Sequence, residues 1–356
     1  MNMWQKLKKE KGRPLMVLAP MADVTDAAFR RIIATYGKPD ATWTEFVSAD
    51  GLFLGGYEHL INDLRYSEIE RPVIAQFFTG KPEMMEKAAR LALELGFDGI
   101  DINMGCPDKG VEKQGAGAGL IKDPERAKEI ILAAMRGATS EEKTIPVSVK
   151  TRIGYNKNEL ETWLPVILET KPALVTVHAR TRKEMSLVPA RWEHVKRAVE
   201  IRNELSPDTL IFGNGDVKDV EHGMELCKET GADGAMLGRA IFGNPWLFES
   251  LQITPRQRLG VPGVEEKLKV LVEHTKLFEE IIGPKPPIGC GKNFSVMKKH
   301  FKAYVTWVTL NSQSSQGFDG SKSGVPDRPS AKDLRVKLMD TENATQMEVI
   351  IEEFLN

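Results

Sequence analysis

The sequence predicts an α/β protein, a (β/α)8 TIM barrel followed by a smaller all-helical C-terminal domain. Short apolar, β-branched runs alternate with longer helical patterns from about residue 15 to 245, the mark of successive βα units. Eight such runs occur, the number that closes a barrel. After GNPWLF at 243–248 the strand signals stop, and the remainder reads as helices broken by GPKPPIGCGKN at 283–293. A doubly wound open sheet is the rival fold, but it has fewer units and a glycine fingerprint after its first strand. Here that strand runs into APMADVTD instead.

In chain order the expected strands are Leu15–Ala19, Ala41–Phe46, Val73–Phe77, Asp98–Asn103, Ile145–Lys150, Ala173–His178, Thr209–Gly213 and Gly234–Gly238. Helices are expected at Thr25–Tyr36, Pro82–Leu95, Pro124–Arg136 and Asp219–Thr230, several opening on the Pro, Asp or Thr that suits a helix start. A boundary is placed between residues 255 and 256, giving a barrel domain over 1–255 and a helical domain over 256–356. Within the latter, the polar, Gly- and Ser-rich segment 311–330 reads as a long mobile loop.

Composition limits the function classes. With 41% hydrophobic and 28% charged residues the chain is an ordinary globular protein, neither largely disordered nor collagen-like. A formal net charge of −1 means that any nucleic acid must be met by a local basic face. Cys106, Cys227 and Cys290 are far apart and form no CxxC pair, which argues against a zinc site or disulfide framework and favours a reducing cytoplasm. The basic N-terminus leads into no apolar signal-peptide core, and no run reaches the length of a membrane span.

Reacting groups in this fold come from the C-terminal ends of the strands. Those tips carry Pro20 and Met21, Gln76, Asn103 with Cys106, Lys150 with Arg152, His178 with Arg180, Asn214-Gly215-Asp216, and Gly238-Arg239. A buried Gln or Asn can simply satisfy backbone groups, and His178 can be a hydrogen-bonded core histidine. Lys150 differs, because an ammonium following IPVSV inside a barrel needs an anion or polar ligand. In the loops after strands 7 and 8, Gly213, Gly215 and Gly238 allow close backbone approach to a phosphate, and Arg239 adds a charged fork. Two ordinary tight turns are the alternative, yet with Lys150, His178 and Gln76 on the same rim a phosphorylated planar cofactor is the better reading. Cys106, between Gly105 and Pro107 at a strand's active end, is placed to act as nucleophile, metal ligand or acid, although no Cys/His spacing supports a metal. The following GAGAG at 115–119 reads as a mobile lid.

Taken together, APMADVTDAAFRR, NMGCP, GAGAGLIKDP, VKTRIG, HARTR, GNGDV and LGRAIFGNPW resemble the dihydrouridine synthases, flavin enzymes that reduce uridine in transfer RNA. The likeness runs over nearly the whole chain. SVMKKHFKAYVTW and LRVKLMD resemble that family's helical RNA-binding domain. The resemblance implies FMN across the barrel mouth, contacted by backbone atoms of Pro20, Met21 and Ala22. Gln76, Lys150 and His178 would hold the isoalloxazine, while Asn214, Gly215, Asp216, Gly238 and Arg239 would surround the phosphate. It also implies NADPH as reductant, hydride transfer from flavin N5 to uracil C6, and Cys106 as the acid that protonates C5. Asn103 and Arg152 are the candidates for contacting the uracil. Lys292, Lys298, Lys299, His300 and Lys302 are the candidates to grip RNA phosphates, a solvated basic helix face being the alternative reading. A cytoplasmic monomer with a tRNA substrate, no metal and no membrane association is the resulting expectation. An FMN barrel reductase for free pyrimidines, resembling dihydroorotate dehydrogenases, would explain the rim but not the C-terminal helices. An RNA chaperone without catalysis would leave Cys106 and Lys150 unexplained.

Overall fold

A computed structural model describes residues 1–252, 262–283, 291–312 and 330–356. Its centre is a single sheet of eight parallel strands: β1 (Leu15–Leu18), β2 (Thr42–Ser48), β3 (Val73–Phe78), β4 (Gly99–Met104), β5 (Val147–Arg152), β6 (Leu174–His178), β7 (Leu210–Asn214) and β8 (Gly234–Leu237). They pair in the order β1-β8-β7-β6-β5-β4-β3-β2. The ends of that order meet where the Leu18 amide donates to the Ala41 carbonyl at 3.2 Å and the Asp40 amide to the Met16 carbonyl at 3.0 Å. The result is the expected (β/α)8 barrel. Every residue of β3 and β4 is buried, as it must be when one face lines the barrel interior and helices cover the other.

The expected helices form from the expected signals. Asp26 caps Ala27–Tyr36 by accepting from the Phe29 amide, and Asp219 caps Val220–Thr230 by accepting from the His222 amide. Pro82 and Pro124 occupy the first turns of Pro82–Glu94 and Pro124–Gly137, where a missing N–H is harmless. No described helix is long and apolar enough to cross a membrane.

One element escaped the sequence reading. The basic N-terminus is a helix, Met3–Lys11, opened by a capping box between Asn2 and Gln5 and stopped by Gly12 at φ 62°. It plugs the N-terminal end of the barrel with Trp4, which is fully buried, stacks on Trp43 with ring centroids 5.4 Å apart and meets Phe212 edge-on at 5.7 Å. An ion pair from Lys8 to Asp233 pins the helix beside β8.

The C-terminal part is helical as expected, with Val264–Ile281, Lys298–Ser312, Ala331–Met339 and Ala344–Leu355. Leu268, Phe278, Phe301 and Leu334 join one continuous apolar core with the layer outside the barrel strands. Phe29 stacks on His274 at 4.8 Å and meets His300 edge-on at 4.7 Å, which ties these helices to the first helix after β1. This corrects the expectation for His300. It is fully buried, and desolvation pushes its imidazole down to about 3, so it presents no charge to RNA. Lys292 is likewise engaged, paired with Glu45 at 2.6 Å, Asp23 at 3.3 Å and Asp63 at 3.4 Å. The expected boundary at 255 and 256, Cys290, and all of the segment 311–330 except its ends lie outside the described residues.

Replacing Trp4 with alanine removes a fully buried aromatic that fills the barrel floor. The expected loss is about 3–5 kcal/mol of unfolding free energy, read as a lower urea midpoint at unchanged slope.

Candidate active site

Parallel pairing sets the strand ends at one level of the barrel mouth. Register places Asn103 beside Lys150, Arg152 beside His178, and His178 beside Asn214. Residues remote in sequence therefore share one rim. A cavity opens there, lined by nine of the eleven residues assigned to a cofactor: Pro20, Met21, Lys150, His178, Asn214, Gly215, Asp216, Gly238 and Arg239. Ala22 is exposed outside that lining and Gln76 is fully buried.

Lys150 follows the buried residues Val147–Val149, and its ammonium has no hydrogen bond or ion pair to any described residue. Desolvation, reinforced by the charge of Arg152, pulls its ammonium down to about 8, while Asp101 and Cys106 pull the other way. A desolvated cation facing a cavity calls for an electron-rich ligand. His178 is held well below its ordinary range by burial and by the nearby Arg152 and Lys150, so its ring is neutral. Arg180 Nη1 lies 3.2 Å from His178 Nε2. Because a guanidinium only donates, Nε2 must accept and the ring proton belongs on Nδ1.

The loops after β7 and β8 bring close-packed glycine backbone and charged side chains together. Gly215 sits at φ 119°, and a Cβ there would come within 2.8 Å of Ala190. Gly213 serves another purpose: a Cβ would meet the Trp192 ring at 2.2 Å, so this glycine makes room for packing rather than for a phosphate. The Asp216 carboxylate accepts from Arg180, from Arg239 Nη2 at 2.6 Å and from the Ala190 amide at 2.8 Å. The hydrogen bond from Arg180 above all holds it below the usual carboxylate range. Its charge is thus already answered by two arginines, which leaves the cavity wall net positive with Lys150.

Behind the cavity a chain of hydrogen bonds leads to the cysteine. Buried Asp101 accepts from Ser148 Oγ at 2.6 Å and from Gln76 Nε2 at 2.5 Å. Gln76 Oε1 in turn accepts from Asn103 Nδ2 at 3.1 Å. Asn103 Oδ1 then accepts from the amides of Gly105 at 3.2 Å and Cys106 at 2.9 Å. Arg152 Nε closes the loop from its other side, donating to the Gly105 carbonyl at 2.7 Å. Gln76, Asn103 and Arg152 therefore share the task of fixing the turn that carries Cys106. Burial pushes the Cys106 thiol up, against the opposing pull of Lys150 and Arg152, so the group is protonated at neutral pH.

The GAGAG segment differs from its expected role as a lid. Ala116 and Ala118 are fully buried, the Ala118 amide donates to the Cys106 carbonyl at 2.9 Å, and Gly117 at φ 58° leaves no room for a Cβ against that carbonyl. It is the packed support of the cysteine turn. Among the polar lining residues, Ser186 was missed and Arg180, though placed at a strand tip, was given no role. The arginine had a signal, lying two residues beyond His178 in HARTR; the serine, in the irregular loop after β6, had none.

Comparison with known proteins bears on this arrangement. The dihydrouridine synthase family model matches residues 17–321. A probable tRNA-dihydrouridine synthase of Staphylococcus aureus is 36% identical over 355 residues, covering 99% of this chain and 95% of that protein. A probable tRNA-dihydrouridine synthase 2 of Bacillus subtilis is also 36% identical, covering 99% of this chain and 96% of its own. Among solved structures, morphinone reductase aligns with a TM-score of 0.48 at 12% identity, over 67% of this chain and 85% of that one.

The unpartnered ammonium gives a pH signature. Its folded value of about 8 lies below its ordinary 10.5, so between those values the unfolded chain binds more protons than the folded one. Stability of the ligand-free protein then carries a component that rises with pH through that window. Lys150→Met should abolish that component and raise the thermal midpoint at pH 7, checked by thermal unfolding of both proteins from pH 7 to 10.5.

Proposed function

Because the chain belongs to the dihydrouridine synthase family, we propose that the barrel mouth binds FMN and reduces a uracil base of tRNA to 5,6-dihydrouracil, with Cys106 as proton donor. The observation that carries this is that Lys150 lines the cavity beside Asn103 of the adjacent strand, whose side chain holds the turn bearing Cys106. When bound, the reduced flavin supplies hydride to uracil C6, and NADPH is the reductant that restores it.

The donor set suits such a group. Lys150 would hold the edge of the isoalloxazine where negative charge gathers on reduction, a place for a fixed cation. His178 would donate from Nδ1, and backbone atoms of Pro20, Met21 and Ala22 would support the ring. Gln76 would contribute its second amide hydrogen. Gly215 and Gly238 would let backbone approach the phosphate, with Asn214, Asp216 and Arg239 around it.

Cys106 does the proton chemistry. As hydride adds at C6, electron density builds at C5, the thiol S–H bond breaks toward C5, and a thiolate remains for solvent to reprotonate. Lys150 and Arg152 lie close enough to stabilise that thiolate, since both already lower the thiol's pKa. Asn103 and Arg152 hold the Cys106 turn and leave Asn103's second amide hydrogen and Arg152 Nη2 to meet the uracil. The uracil must leave its stack to reach this rim. Lys298, Lys299 and Lys302 remain partly or fully exposed on the C-terminal helices, and these would meet RNA phosphates. Residues 256–356 serve this reading as the RNA-binding part, in a cytoplasmic protein.

The test uses purified protein with FMN, NADPH and tRNA from a strain deleted for this gene, the dihydrouridine formed being mapped by sequencing. Activity on whole tRNA and none on free uridine is expected; the reverse would favour a free-pyrimidine reductase. Cys106→Ala should keep the yellow cofactor while dihydrouridine formation falls by about 10²–10⁴-fold, the usual worth of a positioned acid. Unchanged turnover on tRNA would refute the assignment.

A further inference from the structure

The loop between β6 and the next helix, Glu193–Leu205, exposes apolar side chains at the edge of the cavity. Leu187 is 84% exposed, the highest value for a large apolar side chain among the described residues, and Met185 is 46% exposed. Between them Ser186 lines the cavity wall. Singly exposed apolar side chains are ordinary on a protein surface; what sets Met185 and Leu187 apart is that they flank a residue of the cavity wall.

The loop is held firmly. Arg152, which is 7% exposed, donates from Nη1 to the carbonyls of Thr181 and Met185, each at 3.1 Å. Arg180, 2% exposed, donates from Nε to the Val188 carbonyl at 2.6 Å. Two buried guanidiniums thus grip the backbone on either side of Ser186 and Leu187. At the base, Glu184 accepts from the Thr181 amide at 2.8 Å and pairs with Arg191 at 2.8 Å. Met185 takes φ 52°, a conformation that an unbranched L residue adopts only when its surroundings impose it. Arg152 also donates to Gly105, so the guanidinium that fixes the Cys106 turn fixes this apex as well.

We propose that Leu187, with Met185 behind it, is an apolar wedge that fills the gap in the RNA stack when the target uracil is extruded. This rests on the tRNA reading of the site. The partner is identified by chemistry: the stacked face of a nucleobase neighbouring the target, its backbone met by the exposed Lys183, since Arg182 is already paired with Glu112. The joint hold of Arg152 on the wedge and on the cysteine turn keeps the distance between the vacated stack position and the proton donor constant. Leu187 is a positioning residue, remote from the reacting atoms.

The test compares wild type, Leu187→Ser and Leu187→Met on a modifiable tRNA carrying 2-aminopurine next to the mapped target uridine. For Leu187→Ser, kcat/KM on tRNA should fall roughly ten- to hundredfold, the worth of one stacking contact, and the 2-aminopurine brightening seen with wild type should be lost. Leu187→Met should restore both. The rate at which NADPH reduces the bound flavin should match wild type in both variants, which excludes a general defect of folding or flavin binding. Leu187→Ser with wild-type kcat/KM and wild-type brightening would overturn the wedge while leaving the tRNA reading intact. Failure of the wild type to modify any tRNA would instead overturn that reading, and the wedge with it.

Discussion

Lys150 is the group around which the rest of the site makes sense. Strand β5 carries it into the barrel behind a run of buried residues, and no described side chain offers it a hydrogen bond or ion pair. Folding therefore accepts a desolvated cation, something a structure tolerates only where a ligand supplies the missing charge or electron density. Its neighbours amplify this, for Arg180 and Arg239 also line the mouth and both already share the Asp216 carboxylate. Neutral His178 belongs to the same logic, because a second titrating cation at that distance would be unfavourable.

Stability and chemistry divide along the barrel axis. At the N-terminal end Trp4, Trp43 and Phe212 close the cylinder with aromatic packing and no functional polar group. At the C-terminal end the side chains are polar, and two arginines hold loops by their carbonyls. Left-handed backbone at non-glycine residues occurs at both ends, at Asp23, Met185 and Asp216 beside the site and at Lys171 ahead of β6, so it is the side-chain chemistry that divides along the axis.

Much of this was legible in sequence because strand periodicity and strand tips are local signals. All eight strands lie where the apolar runs place them, to within a few residues at their ends, and Lys150, His178 and Asn214 reach one rim because parallel register lines up equivalent tips. What escaped depended on long-range partners. The N-terminal helix reads as basic and polar, and its single buried tryptophan acquires meaning only against Trp43. His300 looks like part of a basic helix face until the helix Ala27–Tyr36 is seen to cover it. The GAGAG segment has the composition of a lid, yet it packs beneath Cys106 because glycines can mark close approach as well as motion. Arg152 carries a charge that suggests a ligand, while three backbone carbonyls take two of its nitrogens.

The most direct measurement is the two-electron reduction potential of FMN bound to the wild-type protein and to Lys150→Met. An ammonium that lines the cavity and stabilises the anionic reduced ring requires the variant's potential to be lower by roughly 30 mV or more, equivalent to about a tenfold weaker preference for the reduced form. A potential unchanged by the substitution, with flavin still bound, would contradict the placement of Lys150 at the flavin and with it the organisation of the site described above.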